Sequence, residues 1–468
     1  MFDDPFPEPF WARLEQFGQA PALKRYALAP ENKVNAALPE RVSYQDLAQA
    51  ADRFVDETRP MMTTTRPLVV LEFDTCADHI AAYLGCLRAG WPVLLASPGQ
   101  GALLADRFGA ALHLFGKTRK HLTPETPALH PDLALLLPTS GTTGDAKLVR
   151  LSHQNLTSNA DSIANYLHLS AQDCAATTLP LHYSYGLSVL HSTLATGGSL
   201  SLIDRPLIDA KFWQAAQATQ VTSLALVPVQ CEMLLAQDRR LKHDLPSLRY
   251  VTQAGGKLPQ DQALTLAKEA KDDGWDLVIM YGQTEASPRM AYLPPEAALT
   301  HSETIGQAIP GGQITLQDAE GQEITEAGVA GELVYEGPNV MMGYARAPED
   351  LAKPQGLSQL KTGDIAERTP DGFYKITGRA KRFVKIAGRR ISLDGLESDL
   401  RAMGHAAYAT GSDQQIRLYF CNSQAPEDVT HQLATRLKVP ATTFTLLQIA
   451  EPPLMPSGKV DYRALAAL

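Results

Sequence analysis

The sequence predicts an α/β protein with a large N-terminal domain built on doubly wound, mixed sheets. Between residues 67 and 96, an apolar strand, an apolar helix and a second apolar strand follow one another, an order typical of a sheet covered by helices. Further strands are predicted at 221–228, 248–252 and 276–280. From about 304 to 374, short alternating stretches between Gly, Pro and Asp turns predict an antiparallel β subdomain.

The first helices have recognisable ends. Ser43 is a plausible N-cap for a helix over 42–58, because apolar residues then recur at helical spacing. A second apolar helix is predicted from about 78 to 89, and Gly90 can end it in the left-handed conformation. The run 92–96 follows as a buried strand.

Composition limits the possible functions. The chain has 468 residues, 44% of them apolar, and a net charge of −9, which argues against a broadly basic nucleic-acid-binding surface. Its five cysteines show no C-x-x-C pair, which favours buried thiols in a reducing compartment over disulfides or zinc. The acidic, proline-rich N-terminus is unlike a signal peptide, and no run reaches the roughly 18 apolar residues of a membrane helix. We therefore expect a soluble cytoplasmic protein.

The segment after the apolar run 135–138 has the composition of an anion-binding loop. Glycines let the backbone approach a ligand closely, while hydroxyls and successive N–H groups bind phosphate oxygens. The loop is not a Walker motif, because the lysine is followed by Leu148 instead of Ser or Thr. From these residues alone, an ordinary hairpin loop fits equally well. The candidate phosphate-binding residues are Thr139, Ser140, Gly141, Thr142, Thr143, Gly144 and Lys147.

Four further motifs follow in order along the chain. They are Tyr-Gly-Gln-Thr-Glu at 281–285, Lys-Thr-Gly-Asp at 361–364, Gly-Arg-Ala-Lys at 378–381 and Pro-Ser-Gly-Lys at 456–459. With the anion-binding loop, they resemble the signatures of the adenylate-forming superfamily, which includes acyl-CoA synthetases, luciferase-like ligases and peptide-synthetase adenylation domains. The resemblance extends from about residue 42 to 465.

The resemblance implies a division into domains. Residues 1–378 correspond to an AMP-binding adenylation domain, and the β subdomain at about 304–374 corresponds to a small barrel-like unit within it. Residues 379–468 correspond to a small, mobile α+β C-terminal domain. Lys381 falls on the family's hinge, about which that domain rotates.

The same resemblance assigns the nucleotide contacts. Tyr281 stacks on adenine, Thr284 contacts the α-phosphate and Glu285 helps to hold Mg²⁺, for which a carboxylate oxygen is a suitable ligand. Asp364 accepts hydrogen bonds from the ribose hydroxyls, and Arg379 reaches the ribose or a phosphate.

Glycines and one lysine complete the implied nucleotide site. Gly255 and Gly256 follow a predicted strand and allow a flat purine or acyl chain to lie against bare backbone. Lys459 corresponds to the catalytic lysine that bridges the substrate carboxylate and the α-phosphate. Without the motif context, a lysine near a C-terminus is usually just exposed.

The acyl and thiol sites are implied by position in two segments. Counting from Pro180 to Gly186 places Tyr183 at the aromatic gate of the acyl pocket, with a core tyrosine as the alternative. Ser184 stands where amino-acid-activating relatives have an aspartate that pairs with the substrate ammonium, which favours an acid without an α-ammonium. Gly388 would line the tunnel of the thiol acceptor.

These assignments predict an AMP-forming carboxylate–thiol ligase that uses ATP and Mg²⁺, with CoA as the first choice of acceptor. The chain is short before the phosphate loop and between Gly388 and Lys459, which keeps an acyl carrier protein open as the acceptor. An amino-acid adenylation protein is the weaker alternative because of Ser184.

Two alternatives belong to other classes of protein. The stretch 375–390 holds seven basic and no acidic residues, but interleaved apolar residues read as strands and disfavour nucleic-acid binding. A nucleotide-binding regulator without turnover would have no chemical reason to keep Lys147, Glu285, Asp364 and Lys459 together.

Overall fold

A computed structural model describes residues 8–26, 40–122, 128–138, 147–237, 239–386, 389–421, 425–426, 428–454 and 460–468. Internal contacts divide the chain into two compact units. The first unit comprises Met1–Ile314 with Tyr335–Leu360, and the second comprises Thr315–Val334 with Lys361–Leu468.

The helices of the described residues are α1 (Tyr44–Thr58), α2 (Ala77–Arg88), α3 (Gly101–Phe108), α4 (His153–Tyr166), α5 (Ser184–Ala195), α6 (Ala210–Ala218), α7 (Pro228–Ala236), α8 (Leu241–Asp244), α9 (Gln260–Asp273), α10 (Leu393–Ala402), α11 (Val429–Leu437) and α12 (Tyr462–Ala466).

The first fifteen strands are β1 (Pro21–Arg25), β2 (Glu40–Ser43), β3 (Val69–Glu72), β4 (Val93–Ala96), β5 (Leu112–Phe115), β6 (Thr118–His121), β7 (Leu133–Pro138), β8 (Leu148–Ser152), β9 (Cys174–Ala176), β10 (Ser199–Ser201), β11 (Ser223–Leu226), β12 (Tyr250–Gln253), β13 (Asp276–Gly282), β14 (Arg289–Tyr292) and β15 (Gln307–Ala308). The remaining strands are β16 (Gln313–Gln317), β17 (Gly331–Glu336), β18 (Gly343–Ala345), β19 (Leu360–Arg368), β20 (Tyr374–Arg379), β21 (Phe383–Ile386), β22 (Arg389–Ser392), β23 (Ala407–Gly411), β24 (Ile416–Cys421) and β25 (Phe444–Ile449).

Two large mixed sheets organise the first unit, as the sequence predicts. One has the order β18-β8-β7-β4-β3-β5-β6, with a parallel centre and antiparallel edges. The other has the order β15-β14-β13-β12-β11-β9-β10-β1-β2, parallel from β13 to β1. Both are doubly wound, and the carboxyl ends of β12 and β13 lead directly into the candidate site.

The predicted ends of the first helices are confirmed. The Ser43 side chain caps α1 by accepting from the Asp46 N–H, and the Asp46 carboxylate accepts from the Ser43 N–H in return. Helix α2 ends at Arg88, and Gly90 takes a φ of +69° two residues later. Apolar residues of both helices are buried, including Leu47 and Leu84.

The β region predicted at about 304–374 contains a sheet in the order β16-β17-β19-β20. Strands β19 and β20 form an antiparallel pair in which Asp364 lies opposite Arg379. Its strands extend a few residues beyond the predicted range, because β20 continues to Arg379.

The C-terminal part of the second unit is α+β. A β21–β22 hairpin and a β23-β24-β25 sheet pack with α10 and α11 around a core that includes Leu396, Leu418, Phe420 and Leu433. The domain boundary after residue 378 and the barrel-like closure of the β subdomain stay predictions. No helix in the described parts of the chain is long and apolar enough to span a membrane.

Candidate active site

A carboxylate, a phenol and an ammonium group meet after the carboxyl end of β13. Glu285 lies in a 3-10 turn, Thr284–Ala286, and its Oε1 accepts a hydrogen bond of 2.7 Å from the Tyr344 hydroxyl. The ammonium of Lys147 lies 3.6 Å from the centre of the Tyr344 ring. Tyr344 therefore connects the lysine of the first motif with the glutamate of the second.

Backbone contacts fix this turn. The Met341 N–H donates to the Glu285 carbonyl at 2.9 Å. Asn339 is buried, and its amide group donates to the carbonyls of Ala286 and Arg289 at 2.6 and 2.9 Å. The position of Glu285 is thus determined by a segment that follows it by more than fifty residues in sequence.

The Glu285 carboxylate suits a hard metal ion. Within the described residues, Tyr344 bonds one of its oxygens, and no hydrogen bond or ion pair engages the other. Burial and the neighbouring carboxylate raise the pKa of Tyr344, so that its hydroxyl stays a donor at neutral pH. The described residues contain no cluster of three metal-ligating side chains. A single carboxylate fits Mg²⁺, which keeps several waters and takes phosphate oxygens from its substrate.

The predicted acyl-site residues lie next to the Thr284 turn. Ser184 begins α5, and its hydroxyl is 3.2 Å from the Thr284 hydroxyl. Tyr183 precedes the helix, and burial raises its pKa. A Cβ added to Gly255 would come within 2.8 Å of the Tyr183 hydroxyl. The bare backbone of Gly255, at a φ of +84°, thus allows this close approach of Tyr183 in the structure.

Two other predicted residues border the same region. A Cβ on Gly256 would lie 3.1 Å from the Pro228 ring, so glycine is a close fit there. Tyr281 is part of β13 and pairs with Ala291 of β14, although the sequence predicts that the strand ends before it. The extra strand length pairs Tyr281 with β14 directly before the register shift between Tyr281 and Gly282.

The ribose-binding candidates form an ion pair in the second unit. Asp364 Oδ1 lies 3.3 Å from Arg379 Nε across the β19–β20 ladder, and the arginine side chain is 67% exposed. The Thr362 hydroxyl accepts from the Asp364 N–H and donates to the Leu333 carbonyl. This arrangement orients the aspartate, while the exposed arginine can turn towards a ligand.

The predicted hinge lies in a short 3-10 turn, Ala380–Arg382. Arg382 is anchored in the second unit, with its guanidinium 2.5 Å from both Asp394 and Glu397 and 3.5 Å from the centre of the Tyr462 ring. Lys381 thus immediately precedes a fixed residue. Thr139, Ser140, Gly141, Thr142, Thr143, Gly144, Gly388 and Lys459 lie outside the described residues.

Sequence reasoning missed three residues of this site. Tyr344 lies on the three-residue edge strand β18, which is too short to give a periodic signal. Asn339 follows a Gly-Pro pair and reads as a turn residue. Arg289 reads as a surface charge but is 2% exposed. None of the three belongs to a motif, so only the folded chain associates them with the site.

Together, the two mixed sheets, the Thr284–Ala286 turn after β13 and the α+β C-terminal region are features of an adenylate-forming enzyme. The model of the AMP-binding enzyme family matches residues 102–345. The chain belongs to this family, and the resemblance inferred from the five motifs is confirmed.

Two relatives agree with this assignment, and a solved structure shares the fold. Indoleacetate–CoA ligase of Aromatoleum aromaticum is 28% identical over 412 residues, covering 79% of this chain and 80% of the relative. L-proline–[L-prolyl-carrier protein] ligase of Streptomyces coelicolor is 29% identical over 356 residues, covering 72% and 67%. O-succinylbenzoate coenzyme A synthetase from Bacillus subtilis, solved with ATP and a magnesium ion, superposes with a TM-score of 0.77 at 22% identity, covering 97% and 98%.

Proposed function

We propose that this chain activates a carboxylic acid with ATP, releases pyrophosphate, and transfers the acyl group from the acyl-adenylate to the thiol of CoA. The observation that carries the proposal is the cluster of Lys147, Tyr344 and Glu285 beside the paired hydroxyls of Thr284 and Ser184. Such a cluster offers positive charge, a metal ligand and hydroxyl donors within a single region.

The first half-reaction brings two anions together, so positive charge must be placed where negative charge accumulates. Mg²⁺, when bound at Glu285, neutralises charge on the phosphate oxygens. In our proposal the loop 139–144 and Lys147 orient the β- and γ-phosphates, and Thr284 donates to the α-phosphate. Lys459 bridges that phosphate and the attacking carboxylate, which aligns the attack in line with the leaving pyrophosphate.

The nucleoside part of ATP is assigned to flanking residues. Tyr281 stacks on adenine, the backbone of Gly255 and Gly256 lies against the ring, and Asp364 accepts from the ribose hydroxyls with Arg379 beside it. We infer that residues 379–468 then rotate about Lys381 and bring Gly388 to the thiol tunnel. The fixed position of Arg382, directly after the pivot, supports this inference.

The acid substrate lacks an α-ammonium group in this proposal. Ser184, whose hydroxyl bonds to Thr284, leaves no carboxylate at the position that would pair with an ammonium. An unpaired buried ammonium would be strongly unfavourable. In this proposal the substrate lies beside Tyr183, Ser184 and the Thr284 turn.

The acceptor is proposed to be CoA, with a carrier protein as the second candidate. The similarity to a CoA ligase over 80% of that relative supports the first, and the similarity to a carrier-protein ligase supports the second. Both acceptors present the same phosphopantetheine thiol, so the chemistry of the second half-reaction is the same.

Pyrophosphate release from ATP and Mg²⁺ tests the proposal. A panel of carboxylic acids is assayed with CoA, with phosphopantetheinylated carrier protein, and with neither, using Glu285→Gln as the inactive control. Turnover that rises with CoA supports the proposal, and a rise with carrier protein alone identifies the second candidate. ATP binding without pyrophosphate release for every acid would contradict the proposal and favour a nucleotide-binding regulator.

A further inference from the structure

Arg289 is a buried cation at the start of β14, four residues after Glu285. Its side chain is 2% exposed. Nε and Nη2 donate to the Ser188 hydroxyl at 3.2 and 3.1 Å, and Nη1 donates to the sulfur of Met280. The guanidinium carbon lies 4.3 Å from the centre of the Tyr185 ring.

The charge of Arg289 has no anionic partner among the described residues. A guanidinium stays charged and has five N–H donors, and its acceptors here are the hydroxyls of Ser188 and Tyr166 and one weakly accepting thioether. The nearby hydroxyl of Tyr166 is also neutral, since burial raises its pKa. A buried charge without a paired charge is unfavourable, so a missing anion is the simplest compensation.

A buried arginine with a purely structural role looks different in this same chain. Arg150 is 3% exposed, and its two terminal nitrogens donate to the backbone carbonyls of Met342, Lys353 and Pro354. The Arg289 guanidinium, in contrast, donates to no backbone carbonyl of the described residues. The backbone carbonyl of Arg289 accepts from Asn159 and Asn339, so the backbone of this segment is fixed independently of the side-chain charge.

The guanidinium lies one helical turn beyond the acyl-site residues. Ser188, which it bonds, follows Ser184 by four residues in α5, and Tyr185 packs against it from the same helix. Burial raises the pKa of Tyr183, and the positive charge of Arg289 acts in the opposite direction. Arg289 therefore contacts the same helix that carries the predicted acyl-site residue Ser184.

The surroundings of the guanidinium can adapt to a ligand. Met280 is an unbranched side chain whose sulfur accepts from Nη1 only weakly, so a carboxylate oxygen can replace it. A cavity of about 10 Å³, near the size of one water, borders Arg289, Ser192 and Thr252. This cavity holds at most one water, so a carboxylate would reach the guanidinium only by displacing the Met280 side chain.

We propose that Arg289 binds a second carboxylate of the acid substrate, so that this chain activates a dicarboxylic acid at its other carboxylate. The inference rests on the proposed function and adds the substrate class. A bidentate carboxylate would satisfy the guanidinium by charge and by geometry, which neither Ser188 nor Met280 can do.

The test compares matched acids in the pyrophosphate-release assay. Malonate, succinate, glutarate, adipate and phthalate are each paired with the monoacid of equal skeleton and with the monoamide of the same diacid. For the wild-type protein, we expect kcat/KM for the best diacid to exceed that of both neutral partners by at least about 100-fold, because a site built for a polar group rejects analogues that lack it.

Variants separate binding by Arg289 from a structural role. In Arg289→Met we expect the ratio of kcat/KM for the diacid to kcat/KM for its neutral partner to fall to about threefold or less. The ratio should fall mainly because diacid turnover is lost, and the KM for ATP should not change. Arg289→Lys should keep part of the preference, because the charge remains without the planar fork. Arg240→Met removes an exposed arginine of the same unit and should leave the preference intact.

Several outcomes would overturn the inference. The inference is wrong if the wild-type enzyme uses monoacids or monoamides with the same kcat/KM as diacids. This comparison does not depend on the folding of the variants. A diacid preference that survives in a folded Arg289→Met protein would contradict the inference as well. Turnover of monoacids alone would leave the proposed ligase function standing, whereas no turnover of any acid would contradict that function itself.

Discussion

At the residue scale, Tyr344 links two motifs that are far apart in sequence. Its hydroxyl orients the Glu285 carboxylate, and its ring packs against the Lys147 ammonium. We expect Tyr344→Phe to lower kcat/KM for ATP by about 10- to 100-fold, because a hydrogen bond to a charged group is worth roughly 1.5–3 kcal/mol. Steady-state pyrophosphate release at varied ATP and Mg²⁺ measures the effect.

A matched hydroxyl deletion controls for stability. Tyr292→Phe removes a phenol that accepts from Gln307 outside this cluster, and it should leave kcat/KM for ATP within twofold or so of the wild-type value. Equal losses in the two variants would show that Tyr344 has no special role at Glu285.

His191 predicts how stability depends on pH. It is fully buried, its Nε2 is 2.9 Å from the Tyr83 hydroxyl, and the Phe10 ring packs beside it. Burial lowers its pKa from 6.5 to about 3. Because the folded-state pKa is the lower one, the unfolded chain binds the proton more readily. The stability contributed by neutral His191 is thus complete above pH 6.5 and is lost as the pH falls towards 3.

Denaturant unfolding between pH 8 and 5 tests this prediction. Below about pH 6.5, the free energy of unfolding should fall less steeply in His191→Gln than in the wild type, by up to about 1.4 kcal/mol per pH unit. Glutamine keeps an acceptor for Tyr83 without a titrating group. His243→Gln changes a histidine that is 88% exposed and should follow the wild-type slope; identical slopes in all three proteins would refute the prediction.

At the element scale, the sequence predicted the positions of helices and strands better than it predicted which strands pair with one another. The N-cap Ser43, the strand at β4 and the end of α2 follow from local rules of capping, burial and left-handed glycine, and all are confirmed. The placement of Tyr281 inside β13 was not foreseen, because its pairing with β14 depends on a neighbour and not on its own sequence.

The same limit applies to the site. Motif residues such as Thr284 and Ser184 could be named from the sequence, and the structure brings their hydroxyls together. Tyr344 and Asn339 could not be named, since a long-range strand pairing and a buried amide place them. Gly388 and Lys459 stay predictions that rest on their motifs.

A network of hydrogen bonds and ion pairs around Glu397 links the turn before β21 to β23 and α12. The Glu397 carboxylate, 9% exposed, pairs with Arg382 and accepts from the Ala409 N–H and the Tyr462 hydroxyl, both at 2.8 Å. We expect Glu397→Ala to destabilise this region by about 3–5 kcal/mol, because it leaves Arg382 buried beside fewer anions. Tyr462→Phe should cost only about 1–2 kcal/mol.

Hydrogen exchange of the β21–β22 hairpin and of α12 reports these losses locally. Arg436→Met, which breaks the more exposed pair with Asp399, serves as the control and should change exchange little. A Glu397→Ala protein with wild-type protection in the hairpin would show that the network does not stabilise this region.

At the scale of the whole molecule, the proposed mechanism assigns the two half-reactions to two orientations of residues 379–468. In the proposed mechanism, Lys459 serves adenylate formation, whereas rotation about Lys381 serves thiol transfer. Lys459→Ala should therefore abolish pyrophosphate release and leave thiolysis of a supplied acyl-adenylate largely intact. Lys381→Pro should do the reverse, because proline fixes φ at the pivot and restricts the residue before it.

The two half-reactions are measured separately, as acid-dependent pyrophosphate exchange and as thioester formation from the acyl-adenylate. Lys385→Ala lies four residues beyond the pivot and controls for a general loss of positive charge in this segment. The opposite asymmetry of Lys459→Ala and Lys381→Pro would assign one half-reaction to each lysine. Equal loss of both half-reactions in either variant would refute the division of labour, because a residue needed equally in both steps cannot distinguish two orientations of the C-terminal region.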